Sequence, residues 1–273
     1  MLTATLRNRY LDHLQTLEQP PSLDYLRKLI KLHLGRFPFE NLSKFHYYTH
    51  KGQKGLEWLP DMELFLDNCV SRGMGGNCYI LNSHFGALLE SLGFQVELVR
   101  ATGGNTHLAL RVTIDKQMYY VDVGYGAPLL EPLVLEEQPR FSRLGEEIEI
   151  TRLGPGRFII DRRAGGQSFV TKTIEWEPVR LDDFEEVITD SLRDRDDNPF
   201  MRRIVVTLLQ EDRAYSVMNN KLFVKTNERT EVHEYTKQSD WIAMMKSTYG
   251  LDEEALRSSV DFVAERGVKL FDR

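Results

Sequence analysis

At Gln95 the hydrophobic period of this chain changes from that of a helix to that of a strand, and the change divides the fold. Before it, Leu6, Tyr10, Leu11, Leu14 and Leu17 recur as one helical stripe. After the PPS turn, with Ser22 as a cap, Leu23, Leu26, Leu29, Ile30 and Leu34 make a second. The stretch from Asp61 to Val70 predicts a third helix. A GMGG turn follows, and then Cys78, Leu81, Phe85, Leu88, Leu89 and Leu92 share a face, with Asn77 as N-cap and Gly93 as a left-handed stop. From Gln95 the segments QVELV, HLALRVTI and QMYYVDV alternate, and EIEITRL, RFIID, SFVTKTIEWE, RIVVTLLQ, AYSVM and KLFVKT continue in the same manner. The turn signals between them, RLGPGR, RAGGQ and MNNK, favour antiparallel meanders over parallel crossovers. The tail returns to helix in DWIAMMKSTYG and DEEALRSSVDFVAERG, the latter with Ala255, Leu256, Val260 and Val263 inward and Gly267 as its stop. DSLRDRDDNP is the expected linker between the strand core and this last section.

The balance of 35 basic and 41 acidic residues, mixed along the chain, carries no nucleic-acid footprint. The start, MLTATLRNRYLDHL, has charges where a signal peptide needs an apolar core, and no apolar run is long enough to span a bilayer. A cytoplasmic protein is expected. Cys69 and Cys78 belong to no CxxC or Cys/His pattern, which argues against a disulfide framework and a zinc site. Cys69 reads as a buried structural thiol beside Phe65 and Leu66. His46 and His50 fall in KFHYYTHKGQKG, which reads as a loop without a third ligand, so surface histidines are expected and no metal.

Cys78 is the candidate nucleophile. A helix start presents unpaired N–H groups and a partial positive charge, which favour thiolate over thiol. Its place on the stripe of Leu81 and Phe85 equally suits a core cysteine. The strand pair supplies possible partners. In HLALRVTI, Leu108, Leu110, Val112 and Ile114 face one way and His107, Ala109 and Arg111 the other; in QMYYVDV, Asp122 shares a face with Met118 and Tyr120. A two-residue loop at Asp115 and Lys116 pairs Ala109 with Asp122. His107 then becomes the diagonal neighbour of Asp122, roughly 7–8 Å away along the backbone and within side-chain reach. A thiol at a helix start with an imidazole oriented by a carboxylate is the set that nucleophilic acyl transfer needs. The residues leave two plainer roles open, His107 as a hydrogen-bonded sheet histidine and Asp122 as a cap on the VGYG turn.

With these residues in place, the chain resembles the arylamine N-acetyltransferase family. The resemblance rests on PFENL (Pro38 to Leu42), GGNCYILN (Gly75 to Asn82), THLALRV (Thr106 to Val112), VDVGYG (Val121 to Gly126) and a weaker NPF (Asn198 to Phe200), in order along most of the chain. It implies an α+β fold with a papain-like catalytic core: a helical bundle over residues 1–93 carrying the nucleophile, an antiparallel β-barrel-like domain over 94–190 carrying His and Asp, and an α/β lid over 191–273. It implies a Cys78, His107 and Asp122 triad and a double displacement in which acetyl-CoA acetylates Cys78 and coenzyme A leaves. An arylamine, arylhydrazine or N-hydroxyarylamine then collects the acetyl group. The family's aromatic pocket wall falls on Phe39 and Tyr125, and its cofactor side on Thr106, Gly126 and Phe200. A monomer or homodimer is expected.

Three positions depart from the family pattern. Met74 stands where the family carries an arginine that would pair with the carboxylate of Glu40, so that Arg72 must substitute or Glu40 must lie in water or hold a proton. Ile80 replaces a common Glu or Gln, and the stretch from Cys78 to His107 is shorter than the family's, which bears on access to the pocket. Two other readings therefore accompany the first: a thiol hydrolase or amide synthase with the same triad, and a catalytically silent binding homologue.

Overall fold

The computed structural model describes residues 2–51 and 55–271. Its N-terminal part consists of helices α1 (Ala4–His13), α2 (Leu23–Leu34), α3 (Leu42–Lys51), α4 (Met62–Arg72) and α5 (Cys78–Ser91), with a short strand β1 (Phe39–Glu40) between α2 and α3. Side chains of Thr3, Ser22, Asp61 and Asn77 accept first-turn N–H bonds and set the starts of α1, α2, α4 and α5. Leu17 does not join the first stripe. Leu14 already caps α1, Gln15 takes a left-handed φ of 54°, and Leu17 is left 79% exposed.

The expected loop around His46 is instead helix α3. Its pattern is hidden by polar residues, but Leu42 and Phe45 recur three apart and are buried, with Phe45 stacked on Phe262 at 4.2 Å. The sequence GQK at 52–54 lies outside the described residues. His50 is exposed, whereas His46 is half-buried and pairs with Arg72 at 3.2 Å. Among the described residues no group of three or more His, Cys, Asp or Glu side chains is placed to hold a metal ion. None of the helices among them is long and apolar enough to cross a membrane.

Seven strands form the larger sheet: β2 (Gln95–Thr102), β3 (His107–Ile114), β4 (Gln117–Val121), β5 (Arg140–Arg143), β6 (Glu146–Gly154), β7 (Arg157–Ala164) and β8 (Gln167–Val179), in the order β4-β3-β2-β8-β7-β6-β5. All its pairings are antiparallel. After helix α6 (Glu185–Ser191) come β9 (Val205–Leu209), β10 (Ala214–Met218), β11 (Lys221–Lys225) and β12 (Thr230–Glu234), then helices α7 (Gln238–Tyr249) and α8 (Glu253–Ala264). These strands form a second antiparallel sheet whose edge is β1, with Phe39 opposite Thr207. Strands β1, β5 and β12 escaped the sequence pattern because they are short edge strands without an apolar alternation.

The larger sheet curls, burying Val99, Ala101, Ile148, Ile150, Phe158, Ile160 and Ile174 on its concave side. Leu108, Leu110 and Val112 of β3 face the other way, into the helical core with Phe85 and Leu88 of α5. Helix α5 is thereby pinned against β3, which brings the start of the helix beside the start of the strand. The third core lies between the second sheet, α3, α7 and α8, and takes in Met74.

Candidate active site

The β3–β4 hairpin has the loop that the face assignment requires. Ile114 pairs with Gln117, and Asp115 and Lys116 both take left-handed φ values of 49° and 69°. Leu110 pairs with Val121, so the register carries Ala109 opposite Asp122 and His107 diagonal to it. The side chains close the gap: His107 Nε2 lies 2.6 Å from Asp122 Oδ2, with both residues buried. That contact leaves Nδ1 as the ring nitrogen not engaged by Asp122, and the charge of Cys78 is among those that act on the imidazole.

Asp122 is held from four directions. Its Oδ2 accepts from His107 and, at 2.8 Å, from the Tyr120 hydroxyl; its Oδ1 accepts from Asn82 Nδ2 at 2.8 Å and from the Gly124 N–H at 3.0 Å. It therefore both caps the VGYG turn and orients His107. Burial opposes its charge, but His107 and the hydrogen bonds from Asn82 and Tyr120 prevail and hold the carboxyl below its usual range. For His107 burial likewise disfavours the cation, yet the charges of Asp122 and Cys78 outweigh it and push the imidazole up to about 10. The arrangement favours an imidazolium beside the Asp122 carboxylate.

Asn82 and Tyr120 were not singled out from the sequence. Asn82 lies one helical turn beyond Cys78, donates also to the Leu108 carbonyl at 2.7 Å, and accepts from the Val123 N–H at 2.9 Å. It ties α5 to both strands that carry the imidazole and the carboxylate. The available signal was a lone amide on an otherwise apolar helix face, a residue that must find partners when buried.

Two glycines permit the close approach. A Cβ on Gly124 would lie 2.7 Å from Cys78 Cα, and one on Gly75 would lie 2.0 Å from the Pro38 carbonyl oxygen. Gly76 and β1 bond reciprocally, Glu40 N–H to the Gly76 carbonyl at 2.9 Å and Gly76 N–H to the Pro38 carbonyl at 3.3 Å. The turn that presents Cys78 is thus held by the strand that carries Phe39.

Phe39, Tyr125 and Gly126 come together. The Tyr125 ring lies 5.0 Å from the His107 ring, and a Cβ on Gly126 would touch the Phe39 ring at 3.0 Å. Arg162, another residue the sequence did not reveal, donates to the carbonyls of Tyr125 at 3.1 Å and Gly126 at 2.9 Å. Its charge is met by Glu146 at 2.8 Å, which also receives Lys225 of the second sheet at 2.9 Å. Thr106 precedes His107 and its carbonyl accepts from the Tyr79 hydroxyl at 2.8 Å. Phe200 is half-buried beneath the Lys44 ammonium, which lies 6.0 Å from its ring centre, and its carbonyl accepts from Asn41 Nδ2 at 3.0 Å.

Glu40 is fully buried. Its Oε2 accepts from the Ser43 N–H at 2.8 Å, while Oε1 has no partner among the described residues. Arg72 does not substitute for the missing arginine; it turns to His46, Asp252 and Glu254. Burial pushes Glu40 up to about 7, against the opposing hydrogen bonds from Ser43, Leu42 and Gly75. Cys69 is buried, and burial followed by the Glu40 charge pushes its thiol well up, as suits a structural thiol.

The N-acetyltransferase family model matches residues 22–257 of this chain. An arylamine N-acetyltransferase of Mycolicibacterium smegmatis is 27% identical over 253 residues, covering 85% of this chain and 86% of the relative. Proansamycin X synthase of Amycolatopsis mediterranei is 29% identical over 175 residues, covering 60% of this chain and 65% of its own length. The structure of Mycobacterium marinum arylamine N-acetyltransferase in complex with CoA superposes with a TM-score of 0.78 over 94% of this chain and 98% of that one, at 22% identity. A fold shared over nearly the whole length, together with the family match across both the helical part and the sheets, shows that this chain belongs to the arylamine N-acetyltransferase family of acetyltransferases.

Proposed function

We propose that this protein transfers acetyl from acetyl-CoA to an arylamine, arylhydrazine or N-hydroxyarylamine through an acetyl-Cys78 intermediate. The observation that carries the reading is the convergence of Cys78 at the start of α5, the buried His107, and an Asp122 held by four donors. The Cys78 thiolate attacks the thioester carbonyl, and the C–S bond to coenzyme A breaks as its sulfur takes the proton from His107. The amine then attacks the acetyl-Cys78 carbonyl, His107 takes the amine proton, and the Cys78 thiolate leaves. The N–H groups of Tyr79 and Ile80 already donate to Asn77 Oδ1, at 3.1 and 3.2 Å, so the oxyanion falls to the N–H of Cys78 itself.

Phe39 and Tyr125 serve as the aromatic walls for the amine, where stacking adds about 0.5–1.5 kcal/mol beyond area burial. Thr106, Gly126 and Phe200 lie on the coenzyme side. The catalytic groups then come from segments 1–93 and 94–190, with 191–273 as the lid. A relative that is named a synthase and not an acetyltransferase keeps a second reading beside the first, a thiol hydrolase or amide synthase that uses the same three side chains on another acyl donor.

Intact mass after incubation with acetyl-CoA is the test. One acetyl gained by the wild type and none by Cys78→Ala is the expected result. Retention of unmodified Cys78 alongside turnover of another thioester or amide would favour the second reading. Binding without any adduct or turnover would leave a silent homologue.

A further inference from the structure

Tyr120 brings a hydroxyl into an apolar core that a phenylalanine would fill as well. The residue is 1% exposed, in the concave core with Val99, Ala101, Ala109 and Trp176. Its backbone is fixed on both edges: it pairs with Arg111 of β3 and exchanges two N–H bonds with Leu133, at 2.8 and 2.9 Å. A buried phenol is costly unless it is hydrogen-bonded, and among the described residues this hydroxyl has a single partner, Asp122 Oδ2 at 2.8 Å. The same oxygen accepts from His107 Nε2 at 2.6 Å, so the phenol and the imidazole share it. The other donors to Asp122 have further work. Asn82 ties α5 to β3, the Gly124 N–H belongs to the turn, and His107 is the base. The Tyr120 hydroxyl is spent on Asp122 alone.

A carboxylate offers about four acceptor sites, and here all are used. A donor to the charged form lowers the affinity of that carboxylate for protons. The phenol therefore keeps Asp122 ionised and at the same time loosens its hold on the imidazolium. Burial, followed by the Asp122 charge, pushes the Tyr120 hydroxyl well above its usual range, so it stays a donor. The direction matters when the coenzyme sulfur leaves. Against burial, the charges of Asp122 and Cys78 push His107 up to about 10, already above the ~8.5 of a free thiol. Any tighter hold on that proton slows its handover.

The charged groups around the imidazole come from several elements. Cys78 lies on α5 and Asp122 after β4. Arg162 of β7 lies 4.9 Å from the centre of the Tyr125 ring, with Glu146 of β6 against it. Lys172 of β8 is held by the Gly103 and Asn105 carbonyls and by Asn105 Oδ1. A change confined to the Tyr120 hydroxyl leaves all of them in place.

We propose that Tyr120 is a positioning residue for proton delivery: by sharing Asp122 Oδ2 with the imidazole, it weakens the hold of Asp122 on the His107 proton and speeds protonation of the departing coenzyme sulfur. This rests on the acyl-transfer reading above. The covalent step is unchanged. The Cys78 thiolate forms its bond to the thioester carbon, the bond from that carbon to the coenzyme sulfur breaks, and the sulfur takes the His107 proton.

The experiment compares single-turnover acetylation of Cys78, read by intact mass, from acetyl-CoA and from p-nitrophenyl acetate. The nitrophenolate leaves without a proton, whereas the alkyl thiolate of the coenzyme needs one. Tyr120→Phe is expected to slow the first donor about three- to tenfold more than the second, the worth of one hydrogen bond. In a second protein, 3-fluorotyrosine at position 120 keeps the ring and strengthens the donor. It is expected to move the ratio of the two rates the other way, and it decides alone if Tyr120→Phe does not fold.

Equal slowing with both donors would mark a purely structural hydroxyl and overturn the proposal, as would an unchanged or inverted ratio in either protein. Wild-type acetylation of Cys78 in those cases leaves the proposed function standing. Failure of both donors to acetylate wild-type Cys78 removes both.

Discussion

Replacing Glu40 by Gln is the most informative perturbation of the turn that presents Cys78. The carboxyl is fully buried, has no cation paired with it among the described residues, and is pushed from its ordinary 4.5 to about 7. Because the folded state binds this proton more tightly than the unfolded chain, the stabilisation is complete below pH 4.5 and is lost as the pH rises to about 7. At ~1.4 kcal/mol per tenfold change in proton affinity, the full loss comes to about 3 kcal/mol, most of which falls between pH 5 and pH 8.

Other buried groups titrate in this window with the opposite sign. His46 and His84 are lowered to about 4, chiefly by burial, and gain stability for the fold as pH rises. Their contribution cancels in the difference between the two proteins. Urea unfolding of wild type and Glu40→Gln, followed by tryptophan fluorescence at half-unit steps from pH 5 to pH 8, measures that difference directly. Glutamine keeps an acceptor for the Ser43 N–H and cannot ionise. The wild type is expected to lose roughly 2 to 3 kcal/mol more than the variant across this range. Parallel profiles, within about 0.5 kcal/mol, would refute a protonated Glu40 and require a hidden partner for its charge.

Three further outcomes follow from the same geometry. Asp122→Asn is expected to lower single-turnover acetylation of Cys78 roughly ten-thousand-fold, since a neutral amide cannot sustain the imidazolium. It should also lower the melting temperature, because the introduced N–H₂ meets donors from Asn82 or Tyr120, so circular dichroism accompanies the rate. Gly124→Ala places a methyl 2.7 Å from Cys78 Cα, and the expected result is a folded protein whose Cys78 alkylation and acetylation both slow by at least about tenfold. Arg162→Met leaves Glu146 buried with Lys225 alone and frees the Tyr125 and Gly126 carbonyls, so the KM for the aromatic amine should rise more than kcat falls, together with a loss of about 3–5 kcal/mol in stability.

What could be read along the chain was local. The caps at Ser22 and Asn77, the alternation in HLALRVTI, and the two-residue loop at Asp115 and Lys116 depend on neighbours a few residues away, and each matches its place in the structure. Because a hairpin converts spacing into position, His107 and Asp122 could be put on one face before any tertiary contact was known. Helix α3 was misread as a loop because its stabilising partner, Phe262, lies more than two hundred residues away. Strands β1 and β12 lacked an apolar signal because pairing at a sheet edge, and not side-chain alternation, defines them.

Long-range polar pairing lay beyond the pattern altogether. A carboxylate, an amide or an ammonium looks the same in sequence whether it is solvated or buried. Only packing decided that Asn82 and Tyr120 complete the surroundings of Asp122, that Arg162 anchors the VGYG turn, and that Arg72 turns away from Glu40. The cost of burying such groups is set by what lies around them in three dimensions, and it is in that cost that Glu40 becomes informative.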